Sequence, residues 1–327
     1  MARNPLTPSF IKPRVTAACR GTLSGEPARP DRFRACLMLI VSILVVTFSS
    51  QSVARDDVLL FTDVDPDAPV EHATSSTDIG GQLLNFYLPY LDAFNIRQRF
   101  ANPARALSII SQRNDACRGK SVYTEERAAV ATYAEQAHVV FPPLRLYMLA
   151  SHPRVNEILE LLDASDDGFL PLSDILQVDP GLTLGLMRGR SYTPELDQAI
   201  DGDQHSNQLW IRAVPDQASG LFDMLINERI DLTIHTSVSV KRFTELRGIE
   251  PELIVIPLRE ASEPLQGYFV CSQSETGVRF LTAMDHAVRE VSQSRAYFDA
   301  HMSWVTAAER PFYAQIYNQQ FGTDFSL

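Results

Sequence analysis

The chain has 327 residues, with 29 lysines and arginines against 40 aspartates and glutamates, for a formal charge of −11. That length suffices for two ordinary α/β lobes. So acidic a surface argues against nucleic acid or anionic lipid as partner, although a binding site can still be locally positive and take an anionic ligand.

Residues 1–54 read as an export signal with an extended lead. Arg29, Arg32 and Arg34 precede an uncharged apolar run from Ala35 to Ser49, and Ser52-Val53-Ala54 follows it. Basic flank, apolar core and small-x-small exit are the three parts of a secretory signal. The run is at the short end for a membrane span, which needs about 20 residues, so an uncleaved anchor is the alternative. The lead from Met1 to Asp31 is rich in Pro and Arg. Residues 1–54 hold seven basic and two acidic side chains, and losing this net +5 takes the charge from −11 to −16. Either way, the body of the protein is expected in the periplasm.

After the signal, strands and helices alternate. Val58 to Thr62 is a short buried-strand run, followed by a polar loop from Asp63 to Asp78. Leu83, Leu84, Tyr87, Leu88, Leu91 and Phe94 recur at helical spacing, with Pro89 expected to kink or break the helix. Ile96, Gln98 and Phe100 alternate as a strand. Asn102-Pro103 places an N-cap before proline at the first helical position, opening a helix with Leu107 and Ile110 inward. Such a start predicts a parallel sheet covered on both faces. Leu182 to Met187 is again a strand. Gly189-Arg190-Ser191 is a turn, with Ser191 as candidate helix N-cap. Leu209 to Val214 is a strand, and the next helix turns Ala218, Leu221, Met224 and Leu225 inward. Leu232 to Thr236, Leu253 to Pro257 and Tyr268 to Ser272 are further strands. A long amphipathic helix runs from Gly277 through Val288.

Several motifs resemble those of extracellular solute-binding proteins of family 3, within the periplasmic binding protein type 2 superfamily. In the first half they are Asp115, a short strand, then Thr124-x-x-Arg127, with Phe141-Pro142-Pro143-Leu144-Arg145-Leu146-Tyr147 as a crossover. In the second half they are Gly185 to Tyr192, with its Gly-x-Ser turn, and Leu225-Ile226-Asn227-Glu228-Arg229-Ile230-Asp231. The resemblance implies an α/β two-lobed fold, each lobe a mainly parallel sheet flanked by helices, the lobes joined by two crossovers. Residues 55–147 are then the first part of lobe 1, 148–262 lobe 2, and 263–327 the return to lobe 1 with C-terminal helices.

The same resemblance implies a small polar solute, anionic or amino-acid-like, clamped between the lobes for an ABC transporter or a sensor. Arg127 would meet a carboxylate through its bidentate fork, supported by Thr124. Arg190 and Ser191 would add lobe-two donors at a helix start, and Asp63 and Thr236 complete the candidate ligand-binding set. For Arg127 the alternative is an ion pair with Glu125 or Glu126. Thr236 stands where amino-acid binders place an acidic residue, and a threonine cannot neutralise an ammonium in a dry cleft. His235 could touch ligand or sit hydrogen-bonded in the core.

Cys117 and Cys271 remain after export, either as one disulfide or as two buried thiols in separate core strands. Closing so long a loop confers at most about 4–5 kcal/mol, and two cysteines are too few for a cysteine-ligated zinc site. Asp163, Ser165, Asp167 and Gly168 fit the first half of a calcium loop with Asp174 at position twelve, but Pro171 and the missing glutamate speak against it. Asp63, Asp65, Asp67, Glu71 and His72 form an acidic loop better read as solvated than as a metal site. Ser191 lacks the glycine that closes a serine-hydrolase elbow. No other cofactor is expected. The reading is therefore a monomeric binding protein with no enzymatic activity, partnered by a small solute and an inner-membrane permease or sensor. An interaction or structural protein of the same fold is the alternative, with a hydrolase the less favoured one.

Overall fold

A computed structural model describes residues 55–62, 79–213 and 217–327. The export signal, Asp63 and the acidic loop through Asp78 lie outside the described residues.

The first strand, β1 (Asp56–Thr62), leads to α1 (Ile79–Tyr87), which gives way at Pro89 to a single 3-10 turn, Leu88–Tyr90. Proline has no N–H for the next helical bond, so the break falls where the sequence places it. β2 (Phe94–Phe100) and α2 (Pro103–Ile110) follow. Asn102 caps α2 by accepting from the Arg105 N–H at 2.9 Å. Ala106 and Ile110 are its fully buried residues, with Leu107 only partly covered. Next come β3 (Ala116–Ser121), the one-turn α3 (Glu125–Ala128) and β4 (Thr132–Phe141).

The chain then crosses to a second sheet through Pro142-Pro143-Leu144. β5 (Arg145–Leu149), α4 (Val155–Asp163), α5 (Leu172–Gln177), β6 (Leu184–Met187), α6 (Pro194–Asp201) and β7 (Leu209–Arg212) follow in order. After them come α7 (Gln217–Ile226), β8 (Leu232–His235), α8 (Ser237–Arg247) and β9 (Leu253–Pro257). A second crossover leads to β10 (Leu265–Cys271), α9 (Glu275–Val291), α10 (Arg295–Met302) and α11 (Arg310–Phe321).

The strand orders are β2-β1-β3-β10-β4 and β7-β6-β8-β5-β9. In each sheet four strands share one direction, and the strand that opposes them is the one arriving from a crossover, β10 or β5. Each lobe therefore receives its antiparallel strand from the connection to the other. Because β5 pairs with β8 and β9, residues 145–147 belong to the second sheet. The sequence reading, which ends the first lobe at 147, overshoots by the start of this strand. Its apolar residues look the same whichever sheet they join.

Cys117 of β3 lies directly opposite Cys271 of β10, and the two are joined by a disulfide. The alternative of two separate thiols is excluded by that pairing. In the first lobe, α1, α9, α10 and α11 bury Leu83, Tyr87, Phe280, Tyr297 and Tyr317 against the sheet. In the second lobe, Leu146, Ile234 and Ile256 face α4 and α5, whereas Tyr147 faces Leu221, Phe222 and Phe243 from α7 and α8. This alternation follows from the two-residue period of a strand.

Candidate functional site

The ends of β3, β6 and β8 carry the sequence-predicted site residues. Thr124 caps α3, its Oγ1 accepting from the Arg127 N–H at 3.2 Å. The Arg127 guanidinium does not take the ion pair with Glu125 or Glu126. It donates through Nη1 to the Val122 carbonyl at 3.1 Å and through Nη2 to the Gly189 carbonyl at 3.2 Å. Gly189 belongs to the second lobe, so Arg127 spans the two. The Tyr133 hydroxyl also donates to Val122 O at 2.9 Å. Burial pushes its phenol up, while the charge of Arg127 acts in the opposite direction.

The turn after β6 has Gly189 at φ +69°, a conformation that glycine adopts without strain. It presses on the first lobe so closely that a Cβ at 189 would lie 2.5 Å from the Ala104 Cβ of α2. Ser191 and the Tyr192 backbone serve this turn. Ser191 Oγ donates to Asp197 Oδ2 at 2.5 Å and the Tyr192 N–H to Oδ1 at 2.8 Å. The expectation that Ser191 caps the helix is corrected. The cap of α6 is Thr193, which accepts from the Leu196 N–H at 3.0 Å ahead of Pro194. Thr193-Pro194 repeats the signal of Asn102-Pro103, so this cap was readable in the sequence and was missed. Asp197 had no such signal, because its role depends on one turn of helix bringing it back over the loop.

Arg190 lies over the Tyr192 ring, 4.9 Å from its centroid. Its charge also reaches His235, whose imidazole burial already holds well below the usual range. His235 is fully buried against Phe222, ring centroids 4.5 Å apart, with no hydrogen-bond partner on either nitrogen. Thr236 is buried at the start of α8, where its Oγ1 pairs with Ser239 Oγ at 3.3 Å rather than with a backbone N–H. The structure thus brings Arg127 to the Gly189 turn and Arg190 to His235. The aspartates of the two motif sets are structural. Asp115 is paired with Arg113 at 2.6 Å, and Asp231 accepts from the Thr183 N–H and hydroxyl, both at 2.7 Å.

In the calcium-loop candidate, Asp167 accepts from Ser165 Oγ at 2.8 Å and faces the Arg259 guanidinium at 3.1 Å. Among the described residues, no group of three or more His, Cys, Asp or Glu side chains is placed to hold a metal ion. Nor is any described helix long and apolar enough to cross a membrane.

No protein-family model and no curated protein matches the sequence. Solved structures do match. One is a putative L-cystine ABC transporter protein from Listeria monocytogenes, at 15% identity and TM-score 0.53, covering 78% of this chain and 97% of that one. A second is a histidine kinase sensor domain with similarity to periplasmic binding proteins, at 12% identity and TM-score 0.53, covering 78% and 97%. A third comes from glutathione import in Streptococcus mutans, at 14% identity and TM-score 0.53, covering 84% and 98%. The chain has the periplasmic binding protein fold. Nearly the whole length of each similar protein is accounted for, so this fold extends over both lobes. Within it, the loops at 122–127 and 188–192 face each other from opposite lobes, where Arg127 meets Gly189.

Proposed function

We propose that the protein is an exported binding protein whose lobes close over a small polar solute, for uptake or sensing. The observation that carries this reading is the cross-lobe bond from Arg127 to the Gly189 carbonyl at 3.2 Å. A guanidinium has five donors in a rigid fork, and on solute binding Arg127 exchanges this carbonyl for an anionic group of the ligand. Arg190 adds a second cation beside the same turn. The lobe-two donors Ser191 and Tyr192 are already committed to Asp197, so the ligand's anion is held by arginines rather than by the turn. Thr236 supplies no charge for an ammonium. The solute is therefore an organic anion, or an amino acid whose ammonium stays hydrated. Similar structures from an importer and from a sensor support either partner, a permease or a kinase.

A second reading, a lobe pair used for protein interaction, is favoured by the direct contact of Gly189 with Ala104. Native mass spectrometry of the exported protein separates the two. A small-molecule adduct that is lost on unfolding and absent from Arg127→Ala supports solute binding. No adduct, with no thermal shift across amino acids and organic acids, supports the interaction reading.

A further inference from the structure

A groove of about 630 Å³ lies beside the hinge and shares no lining residue with the loops at 122–127 and 188–192. Its volume is that of a small-molecule site, and domain junctions are where such sites recur. One wall belongs to the second lobe: Arg145 and Tyr147 of β5 and Ser237 at the start of α8. The opposite wall, around the start of α11, presents Glu309 and Phe312.

The polar groups on these walls are incompletely used. Ser237 Oγ is a buried atom with no hydrogen-bond partner. Arg145 is half-buried, and its guanidinium donates to the Leu144 carbonyl at 3.0 Å and lies 6.0 Å from the Phe169 ring centroid. Burial lowers its pKa, and the charge of Glu309 opposes that change. Glu309 accepts from the Thr306 N–H at 3.2 Å and hydroxyl at 2.8 Å, both on Oε2. The other groove cation, Lys241, is engaged by Glu245 at 2.8 Å and by the Ser303 carbonyl at 3.1 Å. Two apolar side chains of the groove are open to solvent, Val255 at 48% exposure and Phe312 at 51%.

A half-buried cation on one wall, and an anion beside an exposed aromatic on the other, suit a ligand carrying both charges and an apolar body. We propose that this groove is a second ligand site that takes a small zwitterion with an apolar side chain. The ligand's carboxylate faces Arg145, its ammonium faces Glu309, and its side chain covers Phe312 and Val255. Because the groove bridges the lobes beside the hinge, its occupant bears on both.

This groove is separate from the loops at 122–127 and 188–192, and the following measurement distinguishes the two. Isothermal titration calorimetry of the protein would use L-phenylalanine, 3-phenylpropionate and phenethylamine as probes. The expected result is binding of L-phenylalanine, with each singly charged analogue at least tenfold weaker. Arg145→Gln and Glu309→Gln should each weaken L-phenylalanine at least tenfold. Phe312→Ala, at an exposed position, does the same without disturbing the fold. Amide hydrogen exchange should then show protection at 237–245 and 306–313. No heat with millimolar L-phenylalanine, equal binding of 3-phenylpropionate, or protection confined to 122–128 and 188–192 would overturn the proposal.

Discussion

Gly189 and Ala104 meet across the two lobes with no space for a side chain at position 189. Adding one there has two costs. A left-handed φ costs an alanine roughly 1–2 kcal/mol, and overpacking adds about 1–3 kcal/mol. Gly189→Ala should therefore lower stability by about 2–5 kcal/mol in urea unfolding and enlarge the radius of gyration in solution scattering. Adding Ala104→Gly should recover the packing share but not the backbone share, a coupling that a double-mutant cycle isolates. Strict additivity of the two changes would mean that the lobes do not touch in solution.

The disulfide between Cys117 and Cys271 spans 154 residues and ties the strand that returns from the second lobe to the centre of the first sheet. In the chain-entropy model a loop that long contributes about 5 kcal/mol. Cys117→Ala with Cys271→Ala should lower the urea midpoint accordingly. Because both cysteines are buried, reductant alone should act slowly under native conditions and quickly once urea opens the lobe. An equal midpoint with and without the bond would contradict this.

The strands legible in the sequence were short, mostly apolar stretches, at 58–62, 96–100, 182–187, 209–214, 232–236, 253–257 and 268–272, each of which overlaps an observed strand. Burial on both faces of a sheet leaves that signature. β3 reads poorly because Arg118, Gly119 and Lys120 break the pattern. Lys120 has φ +54°, and β10 changes register opposite this stretch, so the strand carries an irregularity that no periodicity announces. Arg127 was found through its motif, but its bond to Gly189 joins residues 62 apart. Asp197 and the Arg145–Glu309 groove were invisible for the same reason. Partners from separate elements are specified by the fold, not by spacing.

Asp197 holds the turn at 189–192 through two charge-assisted bonds, and such bonds are worth more than neutral ones. Asp197→Ala leaves the Ser191 hydroxyl and the Tyr192 N–H without an acceptor and should cost about 2–3 kcal/mol. The freed donors should then accept an external anion, so that sulfate raises the melting temperature of Asp197→Ala more than that of the wild type. Asp197→Asn keeps one acceptor and should fall between. If sulfate stabilises all three proteins equally, Asp197 does not occupy an anion site.

Three fully buried histidines, His138, His235 and His301, make stability depend on pH in one direction. Burial lowers all three, His301 to about 3. An unfolded histidine takes up its proton near pH 6.5, whereas the folded one resists until far lower pH. The unfolded state therefore binds more protons between these values, and stability present above pH 6.5 is lost as pH falls toward 3. For His301 alone the loss from pH 7 to pH 5 is roughly 2 kcal/mol. The urea midpoint should fall over that interval. It should fall less in His301→Asn, which keeps a donor for the Tyr297 carbonyl that His301 Nδ1 meets at 2.9 Å but has no proton to gain. A midpoint unchanged between pH 7 and pH 5 would mean that these rings are not buried as neutral groups.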